Sequence, residues 1–251
     1  MMKLSDFKVL TFDCYGTLID WETGIYNGLK PLLAKRKTQL TKDQVLEIYA
    51  RHESDQQSMT PSLAYSQLLA VVYKRLANEW NIAVPDYEAN IFGASVPDWP
   101  EFPDSVEALA YLKQHFKLVI LSNIDRISFR GSNARLKVEF DEIYSAQDVG
   151  AYKPSNKNFD YMLAHLETDF GFKPSDVLHT AQSLFHDHAS ANAYGLASAW
   201  IDRRHSQDGW GATMPPPGLP TVDFHFKSMA ELAEAHRAEL EELQGSKLAN
   251  G

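Results

Sequence analysis

The sequence predicts an α/β protein, a doubly wound parallel sheet with a helical cap inserted after the first strand. Three observations carry this. Short apolar runs alternate with helical patterns from Ser105 to Ile201; no convincing strand appears between Trp21 and Trp99; and Val9–Leu18 (VLTFDCYGTL) reads as a buried strand delivering a carboxylate into a turn. Strand and helix alternation is the mark of a parallel sheet covered on both faces. In such sheets ligands bind above the strand C-termini. A charge at the end of an apolar strand is costly unless it has a partner or a task, so Asp13 is a candidate nucleophile, the plainer role being a turn cap. Gly16 gives the turn its freedom.

The elements follow in order. Strands are expected at Val9–Asp13, Leu118–Asn123, Glu142–Ala146, Val177–Gln182 and Ser198–Ile201, with helices at Ser105–His115, Asn156–His165 and His186–Tyr194. Apolar residues three and four apart support each helix. Between the first two strands lie helical stretches near Thr23–Arg36, Lys42–Gln57, Pro61–Asn81 and Asp86–Phe92. A parallel crossover does not require so long a connection, so this segment is expected to be the cap. The proline-rich stretch from Val96 to Pro103 marks its return. The expected division is a core of residues 1–20 and 100–251 and a cap of residues 21–99. After the fifth strand, Gly209–Pro220 reads as a loop, Thr221–Phe226 as an edge strand, Ser228–Leu243 as a helix, and Gly245–Gly251 as a disordered tail.

Composition excludes several functions. The 251 residues are 44% hydrophobic and 23% charged, ordinary for a globular protein, and the net charge of −9 argues against nucleic acid as a partner. No apolar run approaches the ~20 residues of a membrane helix. Asp6 and Lys8 interrupt any signal-peptide core, and the single cysteine, Cys14, excludes an intrachain disulfide. A cytoplasmic protein is expected. Gly93-Ala94-Ser95 lacks the last glycine of a serine-hydrolase elbow, and no glycine-rich nucleotide loop follows the first strand.

Four segments in order carry a resemblance. DCYGTL, then Leu118–Asn123 (LVILSN), then Ala151-Tyr152-Lys153-Pro154, then Val177–Asp187 (VLHTAQSLFHD) resemble the four motifs of the haloacid dehalogenase superfamily, and span most of the chain. The resemblance implies a Rossmann-like core and an ester formed on Asp13. Phosphatases of this superfamily carry a second aspartate two residues after the nucleophile, to protonate the leaving alcohol; here Tyr15 stands there. A phenol with a reference pKa near ~10 is a poor acid at neutral pH, whereas a halide leaves without a proton. Tyrosine at this place is similar to the L-2-haloacid dehalogenase (type II) branch, which acts on small 2-haloalkanoic acids. The fourth motif holds one carboxylate, Asp187, which weakens a site for Mg²⁺. No cofactor or metal is therefore expected. A Mg²⁺-dependent phosphatase of small metabolites, or a member that binds a small acid without turnover, remains the alternative. A homodimer is implied by the resemblance alone.

The same resemblance distributes roles. Lys153 would hold Asp13 ionised and offset Asp187. Ser122 and Asn123 would hold the substrate carboxylate and orient the ester. Asp187 would activate water, with its pKa raised in a crowded site. In ungapped register, the residues that position this water in the family fall on Gln182 and Leu184. Leucine cannot do so, which passes the task to Gln182, Ser183 or His186. The family's halide-holding cap arginine falls near Ala50, so neighbouring Arg51 is the expected halide ligand, with His52 as the other donor. Asp125 is expected to cap the helix that follows it.

Overall fold

The computed structural model describes residues 2–249. Six parallel strands, β1 (Val9–Phe12), β2 (Lys117–Ser122), β3 (Glu142–Ser145), β4 (Val177–Ala181), β5 (Ala197–Ile201) and β6 (Phe224–Phe226), lie in the order β3-β2-β1-β4-β5-β6. The chain builds outward from β1 on one side, then crosses back to place β4 on the other. The rim between β1 and β4 is thus the switch point where open sheets bind ligands.

Successive side chains of a strand face opposite ways, and the two faces carry separate cores. Val9, Val119, Leu121 and Val177 pack against Phe159, Met162 and Leu166, the last three on α8 (Lys157–Phe170). Leu10, Phe12, Leu118, Ile120 and Leu178 pack the other way with Leu109, Leu112, Met229 and Leu232, from α5 (Ser105–Leu112) and α10 (Met229–Ala249). Short buried strands rich in valine, leucine and isoleucine are what a sheet covered on both faces requires.

Between β1 and β2 stand α1 (Trp21–Leu33), α2 (Lys42–Met59), α3 (Tyr65–Glu79) and α4 (Asp86–Gly93). The chain leaves the core and returns side by side, since Ile19 bridges Glu101 and the Asp20 amide donates to Pro100 O at 2.8 Å. Helix α2 begins with a capping box, Thr41 and Gln44 each satisfying the other's amide. Its buried residues, Val45, Leu46, Tyr49, Ala50, Glu53, Gln56 and Gln57, form one stripe.

Each expected strand of the parallel core lies within a residue or two of its place, the five ending at Phe12, Ser122, Ser145, Ala181 and Ile201. The sixth is shorter than expected. Helix α6 (Arg126–Leu136) follows Asp125, whose carboxylate caps it through the Ser128 amide at 2.8 Å. Two expectations need correction. The tail from Gly245 to Ala249 continues α10 instead of being disordered, and residues 250 and 251 lie outside the described residues. The helix expected at His186–Tyr194 opens with a π-helical turn, Leu184–His188, before α9 (Ala189–Ala193).

The end of α4 touches the start of α3 through a glycine. A Cβ on Gly93 would lie 2.2 Å from the Ser66 carbonyl oxygen. Gly93→Ala is therefore expected to cost about 1–3 kcal/mol by overpacking and to lower the melting temperature by several degrees. An unchanged thermal unfolding midpoint would disprove this close approach.

Candidate active site

The site is built from strand ends. Asp13 follows β1, and its amide donates to Thr180 O of the neighbouring β4 at 3.1 Å, which pins the carboxylate at the rim. Gly16, at φ +95°, lets the turn close beneath Trp21. Thr17 then reaches back: its hydroxyl donates to Asp13 Oδ2 at 3.0 Å and accepts the Gln182 amide at 2.9 Å.

Lys153 supplies the charge. Its ammonium, 1% exposed, donates to Asp13 Oδ1 at 2.9 Å, Asp187 Oδ1 at 2.6 Å and Leu121 O at 2.9 Å. All three ammonium protons are thus used. Asn123 fixes the backbone on both sides, accepting the Lys153 amide at 2.6 Å and donating to Lys153 O at 3.1 Å. The Asn123 side chain thus positions Lys153 and keeps one amide proton for the cavity it lines. Asp187 Oδ1 is also met by His179 Nε2 at 3.0 Å, and the far nitrogen of that ring meets Thr11 Oγ1 at 2.8 Å.

The electrostatics follow from burial and this shared cation. Burial pushes the Asp13 carboxyl up, Lys153 pulls it down and Asp187 pushes it up again, leaving it above its ordinary value. Burial acts on Asp187 in the same direction, but Lys153 and His179 together hold it well below the carboxylate range. The expectation of a raised pKa for Asp187 is therefore reversed, because its partners outweigh its desolvation. Burial would strip the Lys153 proton, but the two carboxylates keep it on. His186 is driven by burial down to about 4 and is neutral at pH 7.

Asp13, Lys153 and Asp187 face a cavity of about 30 Å³, which Tyr15, Ser122, Asn123, Ser183 and His186 also line. That is room for a couple of waters. Ser122 Oγ, His186 Nε2 and Asp187 Oδ2 are buried there with no hydrogen-bond partner. An unmet buried polar atom is costly unless a ligand or water meets it, so these three are the free contacts. Tyr15, its phenol pushed well above its ordinary value by burial, bonds Ser132 Oγ at 2.8 Å.

Two predicted residues are elsewhere. Arg51 turns outward: its guanidinium is 54% exposed and pairs with Glu79 at 2.9 Å, and His52 joins the same glutamate at 2.6 Å. One residue along a helix rotates a side chain by about 100°, which carries Arg51 off the buried stripe. Gln182 is not at the cavity, and Leu184 lies with it along a separate groove beside Trp200. The π turn absorbs one extra residue before Asp187, which leaves Ser183 and His186 at the cavity. Sequence reasoning missed Thr17 and His179, which hold the two carboxylates, and Glu53 and Gln57 of α2; of the cap aromatics it assigned mainly to the core, with some lining a lid, Trp21 and Tyr65 reach the cavity. A glutamate one turn after Tyr49 on an otherwise apolar stripe was the available signal for Glu53.

For Mg²⁺ the rim offers Asp13 and Asp187 alone, with Lys153 lying between them. Among the described residues no group of three histidine, cysteine or acidic side chains forms a metal site. This donor set is a poor fit for a cation that takes several hard oxygens, and no step below is routed through it.

A buried aspartate at a strand end shares a lysine with a second carboxylate, and all three face one cavity. The match of residues 7–180 to the haloacid dehalogenase-like hydrolase family model places the chain in that family. An (S)-2-haloacid dehalogenase of Pseudomonas sp. (strain YL) is 25% identical over 209 residues, covering 78% of this chain and 83% of that protein. The L-2-haloacid dehalogenase of Xanthobacter autotrophicus superposes with a TM-score of 0.75 at 17% identity, over 92% of this chain and 99% of the other. A HAD hydrolase of Bacillus subtilis bound to magnesium gives a TM-score of 0.71 at 16% identity, over 92% and 99%. No helix among the described residues is long and apolar enough to cross a membrane.

Removing the shared cation should expose the two carboxylates to each other. Lys153→Met is expected to cost about 3–5 kcal/mol at pH 7, the range for breaking a buried pair. Its loss should shrink toward pH 5. In the variant the carboxyl pKa values lie above their unfolded values, so folding favours the protonated forms and stability falls as pH rises. Urea unfolding at both pH values checks this, and a loss independent of pH would contradict it. Arg51→Ala, by contrast, should change turnover less than about threefold; a larger fall in steady-state rate would return Arg51 to the site.

Proposed function

We propose that the protein is a hydrolytic dehalogenase of small 2-haloalkanoic acids that works through an ester on Asp13. One observation carries the reading: a carboxylate held by Lys153 and Thr17 faces a small cavity, with Tyr15 where a proton donor would stand. The Pseudomonas and Xanthobacter relatives are 2-haloacid dehalogenases, which supports the same class.

Asp13 is oriented for attack by Lys153 on one oxygen and Thr17 on the other. Its oxygen displaces halide from C2 with inversion, and the bond electrons leave with the halide. Fixed donors keep the nucleophile in one geometry, and such preorganisation removes much of the entropic barrier. Ester formation abolishes the Asp13 charge, so Lys153 then serves Asp187 alone. Water attacks the aspartyl carbonyl, and the free Asp187 Oδ2 receives its proton; the acyl–oxygen bond then breaks, Asp13 is restored as carboxylate, and the proton passes to the departing 2-hydroxy acid. Ser122 Oγ and His186 Nε2 are the unfilled polar contacts left to hold the acid and the water. Helices α1–α4 act as the cap over this cavity. With the reading come a cytoplasmic setting and a homodimer, the second checked by sedimentation of the pure protein.

Asp13→Asn should abolish halide release from 2-chloropropionate while leaving the circular dichroism unchanged, since a carboxamide is a far weaker nucleophile. In a single turnover in ¹⁸O-water, label should enter Asp13 before it reaches the hydroxy acid. Label passing directly into product would rule out the ester. Halide release should be unaffected by EDTA. Hydrolysis of p-nitrophenyl phosphate that requires Mg²⁺, without halide release, would move the reading to phosphatase.

A further inference from the structure

The inserted helices bring no cation to the cavity. Arg51 is bound to Glu79 at the surface, and Lys153 spends all its protons on Asp13, Asp187 and Leu121 O. What they bring is an acid. Glu53 on α2 is 2% exposed and lines the cavity that Asp13 faces. Its Oε1 accepts the Tyr49 hydroxyl at 3.0 Å and the Tyr65 hydroxyl at 2.6 Å, while Oε2 takes no hydrogen bond from the protein. A buried carboxyl with one oxygen held by two hydroxyls keeps its second oxygen available to a ligand in the cavity it lines.

We propose that Glu53, protonated on Oε2, is a catalytic residue that donates this proton to the leaving group as Asp13 attacks. The inference rests on the dehalogenase reading for its substrate, a small anionic acid substituted at C2. In the step, an Asp13 oxygen bonds to C2 and the bond from C2 to the leaving atom breaks with its electron pair. That atom takes the Glu53 proton, and Glu53 becomes carboxylate until solvent returns a proton. The device favours leaving atoms that are strong bases. Among halides that is fluoride, the poorest leaving group and the strongest hydrogen-bond acceptor; bromide needs no such help.

The surroundings keep the proton available. Burial lifts Glu53 to about 7 against the two tyrosine hydroxyls that pull it down. The groups facing it are Tyr49 on its own helix, Tyr65 on α3 with Tyr152 packed against it, and, around the cavity, Asp13, Asp187, Lys153, Tyr15 and the neutral His186. The rim triad carries one net negative charge, and an anionic substrate adds another. Both raise the Glu53 pKa further, so it is protonated at neutral pH when substrate is bound.

The test compares wild type, Glu53→Gln and Tyr65→Phe on 2-fluoro- and 2-bromopropionate, with titration of the free enzymes by sodium fluoride. In Glu53→Gln, fluoride release should fall about 10²-fold further than bromide release does, the lower range for losing a general acid. Wild-type fluoride-ion affinity should drop as pH rises through about 7, with one proton taken up per ion. Tyr65→Phe should move that inflection upward, because a hydrogen bond holding the pKa down is gone. A purely structural Glu53 would not shift it, and this arm stands if Glu53→Gln fails to fold. Equal losses for both halides, or fluoride affinity independent of pH, overturns the proposal. If no halide is released by wild type, the dehalogenase reading fails, and the fluoride titration alone decides Glu53.

Discussion

One ammonium shared by two buried carboxylates is the interaction on which this site depends. Lys153, 1% exposed, cannot remain charged in such a place without Asp13 and Asp187, and they cannot both be ionised without it. The sheet makes the meeting possible. β1 and β4 are neighbours, so Asp13 and Asp187 leave the rim side by side, while β2 on the other flank offers Leu121 O as the third acceptor. Asn123, at the end of β2, clamps the Lys153 backbone. The four sequence segments are therefore one electrostatic unit, and their order along the chain is the order in which strands reach the rim.

That unit was legible because each part is local. A carboxylate after an apolar strand, a Ser-Asn pair after another and a lysine before a proline can be read without knowing what they touch. What the residues touch was less legible. Asn123 looks like a substrate ligand by its position, yet one of its amide protons and its oxygen are spent on the Lys153 backbone. Asp187 looks like a carboxyl that crowding should raise, yet Lys153 and His179 lower it. His179 is hidden because strand β4 reads as plain core, and only the register beside Thr11 shows it as a polar relay.

The two misplacements have one cause, a register that sequence spacing cannot supply. Between Ser183 and Asp187 the chain takes a π turn, and its wider winding swallows a residue. Counting without it puts Gln182 and Leu184 at the water-positioning places, whereas Ser183 and His186 line the cavity. On α2 the error is angular. Tyr49 and Glu53 are four apart and share the buried face, so Arg51 between them is carried round toward Glu79 and solvent. A basic residue is easy to notice in sequence, whereas a glutamate on an apolar stripe is easily dismissed as surface.

The two walls of the cavity control charge by different means. The sheet wall is fixed, since a lysine with all its protons assigned holds two carboxylates in one geometry. The helical wall is adjustable, since Glu53 sits near the pH at which a carboxyl gains or loses its proton. An arginine in that place would carry permanent charge and have to displace the Tyr49 and Tyr65 hydroxyls that now converge on one glutamate oxygen. On the proposed mechanism, the helices above the rim act on the leaving group while the strand ends hold the group that attacks. That separation follows from the topology: Asp13 stands at a strand end and Lys153 is clamped to another by Asn123, while the facing residues Glu53, Gln57 and Tyr65 come from α2 and α3.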